Sequence, residues 1–449
     1  MSTTIETSAE TNAGTSTSYA SLLRSAIEAI DEFGEAGVRV EEIGRRAGVS
    51  VATIYHWFDS KQGLIEAAQK LRFDEVWHLT MDLEVERFRS LVLPARSPAQ
   101  AQRRLLEFTG GLRQSNNDER RMARLLLFGT SLHQPGLRHE VVRNYNGYLT
   151  KGREALGEKP DVVGFRDDLD RRSVAAWLHS QALGRRICEI GTPRFSPERS
   201  DIFRDQAWTW ALWGTALARP EADAISGPIG DHELHRPEGA VTDTAIDHRT
   251  QRLILDRVIE HLDTDGEDSL RLRRITRDLH FSETVIHRYF GGREGLIITA
   301  QAERFAASTG VDLASFQDSV HSCADADEFF TTLRVMIRSR LIAEKRPLRL
   351  RRISALSALH RRPALAERFR VLLDAETISV ARALEVARDR GWVRASLDSI
   401  GYAAWLNSAC IVHGIFELDG IDIDHEAYRA LAVDSAVEMA RTAPTVIKL

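Results

Sequence analysis

The chain has 449 residues, of which 43% are hydrophobic, and its formal net charge is −5 at pH 7. This length exceeds that of one ordinary domain, and the composition excludes a fibrous or largely disordered protein. The three cysteines are far apart, which excludes a disulfide framework and a paired-cysteine metal site and favours a reducing, intracellular compartment.

Residues 1–18 form a Ser- and Thr-rich segment that lacks the basic and apolar regions of a secretory signal. We expect this segment to be a disordered tail. The sequence contains no apolar run of about eighteen residues, so we expect no membrane span and no membrane partner. Together these features predict a cytoplasmic protein.

From residue 19 onward the apolar residues recur with a helical period. The stretch LLRSAIEAIDEFG has apolar residues at i, i+3, i+4 and i+7, and Gly34 is predicted to end this helix. A short helix is predicted over residues 40–47, followed by Gly48 in a left-handed turn. Ser50 is then predicted to cap a second short helix by accepting the backbone amide of Thr53.

Two short helices joined by a tight glycine turn are typical of a helix-turn-helix, whose second helix enters the major groove of DNA. This second helix is predicted to end near Phe58, and Ser60 is predicted to cap a third, longer helix. The predicted core of this small domain consists of Ile43, Ala47, Val49, Ile54 and Phe58.

The remaining side chains of the second helix are predicted to face DNA. They are Val51, Ala52, Thr53, Tyr55 and His56. The small residues at the start of the helix allow a close approach to base edges, and the tyrosine and histidine can donate to phosphate oxygens. Lys61 lies in the first turn of the next helix, where a cation is unfavourable for the helix dipole unless a phosphate docks there. Arg45 and Ser50 complete the predicted DNA contacts of this segment.

The segment IGRRAGVSVATIYHWFDSKQGL resembles the N-terminal DNA-binding domain of the TetR family of bacterial transcriptional repressors, whose pattern is roughly I-A-x-x-A-G-V-S-x-G-T-L-Y-x-H-F-x-S-K-x-x-L. The chain departs from the pattern at Trp57, where the family often has His, and at Ala52, where Gly is usual. It matches the pattern at Ile43, Ala47, Gly48, Val49, Ser50, Thr53, Tyr55, Phe58, Ser60, Lys61 and Leu64. The resemblance implies a helical body behind the DNA-binding domain that binds a small-molecule effector and dimerises.

The same pattern occurs a second time, because residues 254–305 align with residues 22–73 at an offset of 232 without a gap. VSVATIYHWFDSKQGLI in the first segment corresponds to FSETVIHRYFGGREGLI in the second. His280 replaces the turn glycine. The predicted DNA contacts of the second segment are Arg277, Ser282, Glu283, Thr284, His287, Arg288 and Arg293.

Glu283 makes the second segment different, because a carboxylate at the start of a recognition helix repels phosphate unless it accepts from the amino group of a cytosine. Charge is nevertheless favourable in both segments. Residues 39–72 carry a net charge of +2 and residues 271–304 carry +3, so the rest of the chain carries −10. Two basic segments on an acidic chain can each present a positive face to DNA.

The similarity extends beyond these segments, since LDRRSVAAWLHS at 169–180 corresponds to LDSIGYAAWLNS at 397–408, an offset of 228. Trp177 and Trp405 occupy equal places in this repeat and are predicted to pack in a core or an interface. We therefore predict an all-α chain with two fused TetR-like units arranged as a pseudo-dimer. Its predicted parts are a tail (1–18), a first DNA-binding domain (19–73), a first body (74–218), a linker (219–249), a second DNA-binding domain (250–305) and a second body (306–443).

The predicted function is a ligand-responsive repressor that reads an asymmetric or pseudo-palindromic operator in double-stranded DNA. The sequence has no nucleophile elbow, P-loop or zinc-protease motif, so it predicts neither an enzyme nor a bound cofactor or metal. The alternative is a ligand-sensing or protein-interaction adaptor in which one or both DNA-binding domains no longer bind DNA. The sequence also leaves open whether one chain acts alone as a pseudo-dimer or forms a homodimer.

Overall fold

The structure is a computed structural model that describes residues 6–441, with gaps at 78–80, 98–99, 102–103, 105–106, 109–123, 126, 159–167, 192–247, 268, 308–309, 358, 360–361 and 396. In the described residues every regular element is a helix, and the sole β-type pairing is an isolated antiparallel bridge between Val393 and Arg441. The prediction of an all-α chain is confirmed for this part of the molecule. No helix in it is long and apolar enough to cross a membrane.

Four helices form the predicted first DNA-binding domain, which we call the first head. They are α1 (Glu6–Gly37), α2 (Val40–Ala47), α3 (Val51–Phe58) and α4 (Lys61–Trp77). The helical geometry of α1 is interrupted at Gly34, whose φ of 68° and ψ of 165° agree with the predicted helix end. The structure differs from the expected disordered tail, because α1 is helical from Glu6 onward. Ser, Thr and Ala can extend an existing helix at small cost once its later turns are packed.

The head has its own hydrophobic core because each helix buries one apolar face. Leu22 and Ala26 of α1, Ile43 of α2, Ile54 of α3 and Leu64 of α4 all have no exposed surface. This agrees with the core predicted from the helical spacing of apolar residues.

The first body follows α4. Its long elements in the described residues are α5 (Leu83–Leu91), α6 (Pro135–Gly157) and α7 (Arg171–Gly191). Residues 192–247, which include the end of the predicted first body and residues 219–247 of the predicted linker, lie outside the described residues.

The second head repeats the arrangement with α8 (His248–Thr264), α9 (Leu272–Asp278), α10 (Glu283–Phe290) and α11 (Arg293–Ala306). Since α8 begins at His248, the last two residues of the predicted linker are helical. The second body consists of α12 (Gly310–Ser322), α13 (Ala326–Leu341), a 3-10 turn (Ala343–Lys345), α14 (Arg346–Ser357), α15 (Pro363–Asp389), α16 (Ser399–Phe416) and α17 (His425–Ala440).

The two bodies pack against each other and share one hydrophobic core, whereas each head keeps a separate one. Helix α7 packs along α16, and it also contacts α15 and α17. The rings of Trp177 and Trp405 meet edge to face with their centroids 6.0 Å apart. The predicted packing role of these two tryptophans is therefore confirmed.

Candidate DNA-binding site

The turn of the first head depends on Gly48. This residue has φ 68° and ψ 30°, the left-handed conformation that we predicted for it. A Cβ at this position would meet no atom within 4 Å, so glycine is favoured here by backbone conformation alone. Just beyond it the amide of Val49 donates to the carbonyl of Gly44 at 2.9 Å, which closes the turn between α2 and α3.

A serine side chain caps the start of α3, and a second serine caps the start of α4. The Ser50 hydroxyl accepts the backbone amide of Thr53 at 3.1 Å, and the Ser60 hydroxyl accepts the amide of Gly63 at 3.0 Å. Both caps were predicted from the sequence. They satisfy amides that a helix start otherwise leaves without a partner, and so they stabilise the first turns of α3 and α4.

Helix α3 presents the predicted face to solvent. Ala52, Tyr55 and His56 are exposed, and Val51 and Thr53 are half-buried. Ile54 and Phe58 point into the head core, with 0% and 8% of their surfaces exposed. A face made of small residues first and hydrogen-bonding side chains later can approach a groove closely and then contact its phosphate walls.

Arg45 is exposed, as expected, but it also forms an ion pair that was not predicted from the sequence. Its guanidinium lies 2.7 Å from the Glu42 carboxylate, and Arg46 also contacts Glu42 at 2.9 Å. Hydrogen bonds from Arg45 and then Arg46 lower the pKa of Glu42 to about 2. A phosphate that binds Arg45 must therefore compete with Glu42, and the i,i+3 spacing of the pair was the signal that could have revealed it.

Lys61 is the first residue of α4 and is half-buried. The end of α3 approaches this helix closely, because a Cβ on Gly63 would lie 2.2 Å from the carbonyl oxygen of Phe58. The location agrees with the expectation that backbone amides and an ammonium could hold one phosphate together.

The second head has the same order of helices as the first, but it has different residues at its turns. His280 takes the place of the turn glycine and is held at φ 58°, an uncommon conformation for a residue with a side chain. Ser282 precedes α10 but makes no side-chain cap, and the amide of Val285 donates instead to the carbonyl of Ser282 at 3.1 Å. Gly292 replaces the capping Ser60, so the second head lacks both of the side-chain caps that the first head has.

The predicted contact residues of the second head are also on its surface. Ser282, Glu283, Thr284, His287 and Arg288 of this segment are exposed. Arg277 of α9 keeps 78% of its side-chain surface exposed. Arg273, on the same short helix, lies 3.4 Å from Glu283, so a cation partly offsets the carboxylate at the start of α10. Arg293, which corresponds to Lys61, donates to the carbonyl of Glu267 at 3.3 Å.

Comparison with known proteins finds a family match within the first head. Residues 22–68 match the family model of bacterial regulatory proteins of the tetR family. The first head is thus similar to the helix-turn-helix domain of that family. The match covers α2, α3 and the Ser60 cap, and it extends into α1 and α4 on either side.

Curated relatives match the chain over part of their length. The HTH-type transcriptional regulator BetI of Escherichia coli O127:H6 is 34% identical over 122 residues, which cover 26% of this chain and 56% of that protein. The BetI of Escherichia coli K12 (DH10B) matches with the same identity and coverage. The chain thus spans about half the length of the curated relatives it matches.

Two solved structures show weaker similarity. A Rhodococcus protein described as a TetR-family transcriptional regulator is 20% identical, with coverage of 43% of this chain and 96% of that chain, at a TM-score of 0.29. The regulator FadR of Bacillus subtilis, in complex with stearoyl-CoA, is 19% identical, with coverage of 37% and 84%, at a TM-score of 0.25. At these TM-scores neither resemblance bears on the arrangement of the present chain.

Proposed function

We propose that the protein is a ligand-responsive transcriptional repressor whose two heads read the two halves of one operator in double-stranded DNA. The observation that carries this proposal is the exposed face of α3, which stands on a capped, TetR-type helix-turn-helix. The corresponding face of α10, at an offset of 232 residues, provides the second reading surface.

We infer that the two bodies form a pseudo-dimer, which would carry two heads on one chain. In a two-fold arrangement, residues close to the axis contact their own counterparts. Trp177 and Trp405 differ by 228 positions and are in contact. Gly129 and Ser357 also differ by 228, and a Cβ on Gly129 would lie 2.2 Å from the Ser357 hydroxyl. Two such self-pairings favour an internal pseudo-two-fold axis between the bodies.

The advantage of fusing two heads is that one chain can bind an operator without first meeting a second chain. Fusion also lets the heads differ, and their recognition helices do differ: SVATIYHW in the first and SETVIHRY in the second. We therefore infer an operator with two unlike half-sites. Separation of the heads by an effector would release DNA, which requires an effector that binds the two arrangements with different affinity.

A second candidate function is an adaptor in which only the first head binds DNA. It is favoured by the second head, which lacks both side-chain caps and holds Glu283 beside Arg273 at the start of its recognition helix. In that case α10 would contact another protein or serve as a scaffold.

Paired variants separate the two functions by footprinting on DNA that the wild type binds. Tyr55→Ala with His56→Ala alters the first head, and His287→Ala with Arg288→Ala alters the equivalent positions of the second. If both heads read DNA, each double variant loses protection of one half-site and retains the other. Unchanged protection with the second double variant would instead support the adaptor.

A further inference from the structure

A carboxylate joins each head to its body, and it is buried in the first unit and half-buried in the second. In the first unit it is Glu35, which follows the left-handed Gly34 and is 6% exposed. One of its oxygens accepts from Gln69 of α4 at 2.8 Å, and the other accepts from Gln134 at 2.8 Å. Gln134 is the residue immediately before α6 of the body. We call these three residues the first head latch.

The second unit repeats this contact at corresponding positions. Glu267 follows the left-handed Gly266, accepts from Gln301 of α11 at 3.3 Å, and pairs with Arg362 at 2.5 Å. Glu267 and Gln301 are the counterparts of Glu35 and Gln69 at an offset of 232, and Arg362 is the counterpart of Gln134 at 228. Arg362 directly precedes α15 of the body. We call these three residues the second head latch.

The latches differ from ordinary surface contacts in their burial and in what they connect. Gln69 and Gln134 expose 4% and 8% of their surfaces, so loss of Glu35 would leave two amide groups buried without this acceptor. Hydrogen bonds are directional, and a carboxylate that accepts from two helices fixes their relative orientation. One carboxylate in each unit, at or just beyond the end of the first helix, thus joins the helix behind the recognition helix to the residue that precedes a body helix.

The second latch also reaches the DNA-facing surface. Besides Glu267, Arg362 contacts the Glu294 carboxylate at 2.8 Å in the first turn of α11. The neighbouring Arg293, a predicted phosphate contact, donates to the carbonyl of Glu267. A displacement of the start of α15 would therefore be transmitted to a predicted DNA contact through two side chains.

We propose that Glu35 and Glu267 are positioning residues that set the separation of the two heads, and that they act through Gln134 and Arg362 at the start of a body helix. This inference rests on the proposed function, because the separation of the heads matters to the protein only if it must match the spacing of two half-sites on DNA. It can nevertheless be measured without DNA.

The test is the distribution of distances between the heads, recorded by pulsed electron spin resonance with spin-labelled unnatural side chains at positions 52 and 284. Ala52 and Thr284 are exposed, equivalent positions on the two recognition helices. For otherwise unaltered protein we expect one narrow peak. Glu35→Ala should replace this peak with a broad distribution, and Gln134→Ala should do the same from the body side.

Two matched variants serve as controls. Gln134→Arg copies the second latch and should keep the peak narrow, and Glu28→Ala removes an exposed carboxylate from the same helix and should change nothing. Local unfolding of the head would also broaden the peak, so amide exchange of α3 is measured in parallel and should stay as slow as in the wild type. A narrow peak in both Glu35→Ala and Gln134→Ala would overturn the proposal.

A second readout connects the latch to DNA. On duplexes that carry the same two half-sites with spacers of different length, the wild type should prefer one spacing, and Glu35→Ala should lose that preference. A purely structural defect would lower binding to all spacings alike, and that result would contradict a positioning role. Absence of DNA binding by the wild type would refute the proposed function and leave the distance measurement valid.

Discussion

The left-handed turn at Gly48 makes the most specific prediction about stability. Substitution Gly48→Ala adds a Cβ that meets no atom within 4 Å, so the cost contains no steric clash and arises from the backbone alone. An L-residue in this conformation costs roughly 1–2 kcal/mol. The smaller conformational entropy of alanine in the unfolded chain returns about 0.4–1 kcal/mol. We therefore expect the first head to lose about 1 kcal/mol of stability.

Gly147→Ala is the matched control. Gly147 lies on the exposed side of α6, and a Cβ there also meets no atom within 4 Å. The same chemical change in a helical backbone should stabilise by roughly 0.5–1 kcal/mol, because alanine is the better helix former. The two substitutions should therefore have opposite signs, although neither changes a contact.

Native-state amide exchange measures both effects, because it reports the free energy of local opening at each helix. A global unfolding experiment is less suitable, since a chain of several domains does not have a single unfolding transition. A loss of 1 kcal/mol corresponds to a roughly fivefold fall in the protection of α2 and α3 amides in Gly48→Ala. Gly147→Ala should slow exchange in α6. Unchanged exchange in α2 and α3 of Gly48→Ala would refute the left-handed turn as a determinant of the head.

Three further predictions concern DNA contact and pH. Lys61→Ala should weaken binding to all sequences alike and reduce the salt slope by about 0.9; a change in base preference at constant slope would contradict a phosphate contact. Glu283→Gln should weaken selection of a cytosine in one half-site by roughly 1–3 kcal/mol while the other half-site is unchanged, and retention of that cytosine would show that the carboxylate does not read it. His413 is fully buried against Tyr428, and burial, followed by the charge of Arg349, lowers its pKa well below the usual value. The unfolded chain therefore takes up this proton first, and stability should fall as the pH is lowered through the usual pKa range of a histidine. His413→Phe should remove that part of the pH dependence of urea unfolding, and an identical pH dependence in the variant would disprove the assignment.

The first head could be predicted in detail from the sequence because its determinants are local. Gly48 acts within its own turn, and Ser50 and Ser60 each bond an amide three residues further along the chain. Short-range rules of this kind depend on residue type and spacing alone. The predicted bounds of α2 and the end of α3 therefore agree with the structure.

The contacts between the bodies and the heads could not be predicted in the same way. The repeat placed Trp177 and Trp405 in equivalent helices, but a repeat does not show which faces of those helices meet. Glu35 and Gln134 are 99 positions apart, and no periodic pattern relates them. Long-range polar contacts of this type become visible only when the packing of the helices is known.

The predicted contacts of the DNA surface remain predictions. The structure places all of them on the exposed or half-buried surface of a head, but it also shows Glu42 at Arg45 and Arg273 at Glu283. These partners depend on side-chain conformation, which the helical pattern does not specify.

The central claim, that one chain reads DNA with two different heads, is tested most directly by selecting bound duplexes from a random pool and sequencing them. The account predicts enrichment of two unlike half-sites about one helical turn apart. Enrichment of a symmetric palindrome, or of a single half-site, would contradict reading by two different heads. An absence of any enriched sequence would contradict the repressor function itself.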